Sequence, residues 1–185
     1  MRDDQPRPVR RIVAGVGKSE EDVIIHEDGQ SPDVRTDPAR PGFASTRIWV
    51  TTATPAPVAG QLETLGEPHM IEPPKGGSVC RFVTIPPDAW FMGSVTDEKV
   101  ADFFSAMGSP NASRLGEGAP HPYMQQTDTL DYVFILDGEV TLVLDSEEVY
   151  LRKGDTVVQL GASHSWSNKS DKPCELVISS HDGGS

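Results

Sequence analysis

Residues with the means for acid–base chemistry gather in the last third of the chain. His164 follows a Gly161-Ala162-Ser163 turn and Trp166 lies two positions on. In an extended strand both point to one face. A histidine and an indole on an inner face suit a small-molecule pocket. A hydrogen-bonded core histidine accounts for the same spacing. Upstream, Gln125, Thr127, Thr129 and Asp131 share one face of an extended segment, which continues into Val133 and Ile135. Such polar groups line an interior, where an acid must be paired, hydrated, protonated or metal-bound. The alternative is the solvent face of an edge strand. His121, before Pro122, is placed to overhang a pocket entrance. His26 and His181 read as surface residues and His69 as a loop residue. No two of the five histidines form HxH, HxxxH or HExxH, so no strong metal motif is present.

The elements that must carry these groups are mostly strands. Arg11 to Val16, Val23 to His26, Ser45 to Thr52 and Ser78 to Ile85 read as strands. Over Ser45 to Thr52, Thr46, Ile48 and Val50 fall on one face, and Arg47, Trp49 and Thr51 on the other. Gln30 to Pro41 holds three prolines and reads as loop. One helix is expected over Asp97 to Met107. Thr96 is its N-cap, and Val100, Phe103, Phe104 and Met107 form one apolar stripe. From Thr129 the texture is unbroken β. Strands are expected at Asp131 to Leu136, Glu139 to Leu144, Glu148 to Leu151, Thr156 to Leu160, His164 to Asn168 and Glu175 to Ser180. Asp137-Gly138 is a two-residue hairpin signal. So many short strands mean antiparallel sheets closed or stacked on themselves.

Composition narrows the function. The 185 residues and 36% hydrophobic content fit one domain. Residues 1–10 read as a flexible arm and 11–182 as a single domain. The net charge of −12 opposes binding to nucleic acid or anionic lipid. No apolar run approaches the roughly 18 residues of a membrane span. The N-terminus shows no secretory signal. Cys80 and Cys174 stand far apart, which suits two reduced, buried thiols in a cytoplasmic protein.

The stretch from Gln125 to Asn168 resembles the two sequence motifs of the cupin superfamily. Counted back from Gly138, the acid of the first motif falls on Asp131 and its two histidine positions on Gln125 and Thr127. Gly154, Gln159, Gly161, His164 and Asn168 fit the second motif, with Gln159 in place of a proline. Thr127 to Tyr132, T-D-T-L-D-Y, is similar to a signature of a subgroup of single-domain cupins. The resemblance implies an all-β jelly-roll barrel, a double-stranded β-helix, with one main helix before the motif region and core motifs over 125–168. The N-terminal strands would extend its sheets. It also implies a homodimer. The family's metal is usually held by three histidines and a glutamate. Here those positions read Gln125, Thr127, Asp131 and His164, and one imidazole remains.

The expected function is therefore a metal-independent lyase of dehydratase or decarboxylase type, with isomerase or cyclase chemistry close by. Its substrate would be a small organic molecule, polyketide-like or aromatic by resemblance, and no cofactor is expected. His164 would move the proton and Asp131 would orient it and favour its charged form. Gln125 and Thr127 would bind a substrate oxygen, Trp166 would stack on the substrate, and His121 would flank the entrance. One alternative is a metal-dependent dioxygenase or decarboxylase, with Fe, Mn or Zn on Gln125, Asp131 and His164. Another is a non-catalytic binding barrel.

Overall fold

Alternating apolar residues and glycine turns build two antiparallel sheets that enclose one core. The structure is a computed structural model and describes residues 7–16, 21–60 and 63–184. The strands are β1 Arg11–Val16, β2 Asp22–Asp28, β3 Val34–Thr36, β4 Ala44–Thr51, β5 Ser78–Ile85, β6 Thr129–Asp137, β7 Glu139–Leu144, β8 Glu148–Arg152, β9 Thr156–Leu160, β10 His164–Ser167 and β11 Cys174–Asp182. One sheet runs β3-β4-β5-β11-β6-β9 and the other β10-β7-β8, while β1 and β2 pair only with each other. Among the described residues the fold is thus all-β with one α-helix, α1 Asp97–Ala106. Val83, Ile85, Val133, Ile135, Leu176 and Ile178 of the larger sheet meet Val140, Leu142 and Trp166 of the smaller one. The helix forms for the expected reasons. The Thr96 hydroxyl accepts from the Lys99 amide, and Val100, Phe103 and Phe104 are buried.

Four local features differ from the sequence reading. A short strand, β3, lies inside the proline-bearing segment and pairs with β4 from Val34↔Thr46 to Thr36↔Ala44. In β4 the alternation breaks, because the register slips between Arg47 and Trp49. Ile48 is the extra residue of this bulge. Arg47 is consequently buried, with its guanidinium on Asp33 and on the carbonyls of Leu65, Glu67 and Pro68. The β1–β2 ribbon does not extend either sheet. Arg11 ties it down through Asp28 at 2.7 Å and Glu63 at 2.7 and 3.0 Å.

The fourth difference is the turn at Gly138. β6 pairs with β9 and β11, whereas β7 pairs with β8 and β10. The Asp137-Gly138 signal therefore marks a crossing between sheets, not a hairpin. Of the expected arm, residues 1–6 lie outside the described residues. Arg7 is held by two bonds to Glu175 at 2.8 and 2.9 Å and by the Phe82 ring. Among the described residues, no helix is long and apolar enough to cross a membrane. Cys80 and Cys174 are free thiols, the first half-buried and the second buried.

Gly138 has φ +77°, and a Cβ there would meet the Pro173 carbonyl oxygen at 2.9 Å and the Cys174 Cα at 3.1 Å. Left-handed backbone costs an L-residue about 1–2 kcal/mol before any clash. Gly138→Ala should therefore lower unfolding free energy in urea by at least about 1 kcal/mol. Gly154→Ala, at φ +93° with open space around it, should cost less.

Candidate functional site

The inward positions of β6 are Thr129, Asp131, Val133 and Ile135, all buried, while Tyr132, Phe134 and Leu136 face out. The polar face read from the sequence thus turns inward. Gln125, just before β6, is pinned to the first residue of β10. Its amide donates to the His164 carbonyl at 2.8 Å and its carbonyl accepts the His164 amide at 2.9 Å. This bridge places the motif ends side by side.

The His164 ring is fixed by its neighbours. Nδ1 lies 2.8 Å from the Ala162 carbonyl, an obligate acceptor, so Nδ1 carries the proton. Nε2 is then the lone-pair nitrogen, and the Gln125 side-chain amide donates to it at 3.3 Å. Trp166 packs against the imidazole with a centroid separation of 5.8 Å. Burial pushes the His164 pKa below the ordinary imidazole value. The Ala162 hydrogen bond and the Asp131 charge push upward but do not overcome it. Asp131 does favour the charged ring, as expected, but burial is the larger effect and the net shift is downward. Asp131 acts on it only through space, because its Oδ1 is buried with no hydrogen-bond partner. The Thr127 and Thr129 hydroxyls share a hydrogen bond of 2.8 Å.

His121 sits in a separate network. Its Nδ1 accepts from the Tyr123 amide at 3.2 Å and contacts the Ser165 hydroxyl at 2.7 Å. Its Nε2 is 3.9 Å from Asp88 Oδ1, beyond hydrogen-bond length but within reach of the charge. Burial pushes the Asp88 carboxyl up, yet His121, Ser167 and the Asn168 amide together draw it below the usual value. Asp88 receives the Ser167 hydroxyl at 2.6 Å and the Asn168 amide at 3.1 Å, so this cluster clasps the end of β10. His121 is buried rather than overhanging an entrance. His69 is also buried, on Asp33 at 3.1 Å, and His181 bonds Ser179 within β11 at 3.0 Å.

Between the sheets lies a cavity of about 60 Å³, lined by Arg40, Arg81, Tyr123, Gln125 and Trp166 among apolar walls. Asp131, Thr127 and His164 do not line it. Gln125 both lines the cavity and bonds the imidazole, so it connects the two. The sequence reading missed Arg40, Arg81 and Tyr123. Arg81 had a signal, since it shares the inward period of Val79, Val83 and Ile85. Arg40 lies in a loop and had none.

A metal at the family's ligand positions would need Gln125, Thr127, Asp131 and His164. Transition metals favour imidazole and thiolate donors. Here there is one imidazole, whose free nitrogen already accepts from Gln125, and a threonine hydroxyl engaged by Thr129. Among the described residues, no three His, Cys, Asp or Glu side chains group as metal ligands. This donor set does not fit a transition metal.

Residues 113–180 match the family model described as a cupin domain. The phomopsin biosynthesis cluster protein C′ of Diaporthe leptostromiformis is 50% identical over 48 residues, 25% of this chain and 25% of that protein. The chain thus matches about a quarter of that relative's length. The cupin-domain-containing oxidoreductase virC of Hypocrea virens is 30% identical over 125 residues, 65% of this chain and 48% of that protein. The corresponding protein srdD of Neurospora crassa is 25% identical over 166 residues, 88% of this chain and 67% of that protein.

The neutral, buried His164 has a consequence for stability. Unfolding restores the ordinary value of 6.5, and the unfolded chain then binds a proton that the folded ring refuses. Burial holds His69 low as well, against the pull of Asp33. Both contributions are complete above about pH 6.5 and fade as pH falls toward the folded values. Urea midpoints should drop between about pH 7.5 and about pH 5.5, and His164→Gln should make that drop shallower.

Proposed function

We propose that this chain, a cupin over residues 113–180, is an enzyme of small-molecule metabolism that moves protons through His164 without a metal. The observation that carries the reading is the His164 ring itself. The Ala162 carbonyl holds the proton on Nδ1, burial lowers the ring's pKa, and Nε2, which now accepts from Gln125, can take a proton once that bond opens. That is the state a general base requires near neutral pH. The names of the relatives support biosynthetic chemistry on small molecules.

The reaction class is elimination: dehydration or decarboxylation, with isomerisation or cyclisation by the same proton transfers. Nε2 takes a proton from substrate and the Gln125 amide, released from Nε2, donates to the substrate oxygen where charge develops. Nε2 then returns the proton to the leaving group or to carbon. Asp131 supplies through-space stabilisation of the transient imidazolium. Trp166 shapes the wall beside both.

His164→Ala should cut turnover about 10²–10⁴-fold while the barrel stays folded. Asp131→Asn should cut it less, because no hydrogen bond joins Asp131 to the ring. Removing its charge lowers the ring pKa further, so the acid limb of the pH–rate profile should move to lower pH. Full activity in folded His164→Ala would overturn the assignment.

The names of srdD and virC favour a second reading, an oxidoreductase. Elemental analysis of protein purified without chelator separates the two. The proton-transfer reading expects far less than one equivalent of Fe, Mn, Zn or Cu, with turnover unchanged by EDTA. A full equivalent lost together with activity would establish the second.

A further inference from the structure

Two buried guanidinium groups face the same cavity, Arg40 paired with Asp37 and Arg81 in direct contact with no carboxylate. Arg40 is 6% exposed and packs its Cζ over three rings: Tyr123 at 3.6 Å, Phe43 at 4.0 Å and Phe103 at 4.2 Å. Its Nε donates to Asp37 at 2.8 Å, but its Nη2 is buried with no partner. Arg81 donates only to neutral groups, the Met70 carbonyl and the Ser180 hydroxyl, both at 3.2 Å. Asp131 and Glu72 act on it through space alone. Two further cavity-lining groups hold unused donors. Trp166 Nε1 is buried without a partner. The Tyr123 hydroxyl makes no well-formed hydrogen bond; burial pushes its pKa up, and nearby Asp37 adds to that.

Unmet buried polar groups are rare because each costs about 1–3 kcal/mol. Here three occur around one cavity, all three are donors, and two cations stand with them. We propose that this cavity binds the carboxylate of a small organic acid, whose oxygens accept from Arg40 Nη2, Trp166 Nε1 and the Tyr123 hydroxyl. Arg81 adds the second positive charge. The walls are apolar, with Phe43, Ile71, Val83 and Phe103 among them, so they match an alkyl stem rather than a bare phosphate. As a statement about substrate class, the proposal rests on the proton-transfer reading, because Gln125 links this cavity to His164.

Calorimetric titration of the full-length protein tests it, with propanoate, its neutral counterpart propanamide, and inorganic phosphate. Propanoate should bind at least about tenfold more tightly than either, as expected for charge-assisted hydrogen bonds. Trp166→Phe keeps a ring and removes one donor, and should weaken propanoate by about threefold to tenfold. Arg40→Met should abolish the preference over propanamide. Should that variant unfold, Trp166→Phe still decides the matter. Equal binding of acid and amide, preference for phosphate, no propanoate binding by folded protein, or indifference to Trp166→Phe would each overturn the proposal. His164→Ala distinguishes the two readings, since it should bind propanoate as wild type does. Acid binding without turnover of any acid would refute proton transfer alone. Turnover of amides as readily as acids would refute the carboxylate alone.

Discussion

A guanidinium taken out of water constrains the whole interior. Arg40 joins elements distant in sequence: Asp37 beside β3, Phe43 at the start of β4, Phe103 of α1 and Tyr123 before β6. Desolvating a charge is costly unless it is paired and bonded. One carboxylate and three ring faces offset part of that cost, each cation–π contact contributing about 0.5–2 kcal/mol. The arrangement fixes where the helix sits, because Phe103 must lie against the cation and also in the apolar stripe. Phe103 meets Phe43, Phe104 and Tyr123 edge-to-face at 5.1 to 5.4 Å, so moving Arg40 would disturb a cluster of rings.

The imidazole is governed by the opposite balance. Around His164, burial outweighs a nearby carboxylate and draws the ring's pKa below the ordinary imidazole value. His69 shows the same balance even in direct contact with a carboxylate, since burial holds its pKa low with Asp33 at 3.1 Å. Asp131 lies instead on β6, opposite Gln159 of β9, and its charge reaches the ring without bonding it. Buried arginine and neutral histidine therefore coexist a few side chains apart. Gln125 stands between them, with its backbone bonded to His164 and its side chain at the cavity wall.

Strand positions were legible because period-two alternation is local. β5, β7 and β9 fall where Val, Ile and Thr alternate between glycine or proline turns. The inward face of β6 was legible for the same reason. Pairing was not legible. The turn at Gly138 states that the chain reverses, but whether β7 joins β6 or leaves for another sheet depends on Pro173 and Cys174, some 35 residues on. The Ile48 bulge was hidden because Arg47 reads as a solvent residue until Asp33 and three loop carbonyls surround it. Of the site, His164, Gln125, Asp131 and Trp166 could be named in advance from spacing and resemblance. Arg40 and Tyr123 could not, because their meeting is a property of the packed core.

The outer side of β6 and β9 carries exposed apolar side chains. Tyr132 and Val158 are cross-strand neighbours there, as are Leu130 and Leu160, and Leu160 is 79% exposed. β9 also ends the six-stranded order, so its free backbone edge adjoins these apolar side chains. A net charge of −12 holds such flanks apart at low ionic strength. Salt shortens that repulsion to about 10 Å at 0.1 M, while contact between apolar surfaces is untouched. The colloidal behaviour of this protein is thus a contest between long-range charge and one adhesive flank. The ionic strength of the buffer decides which prevails.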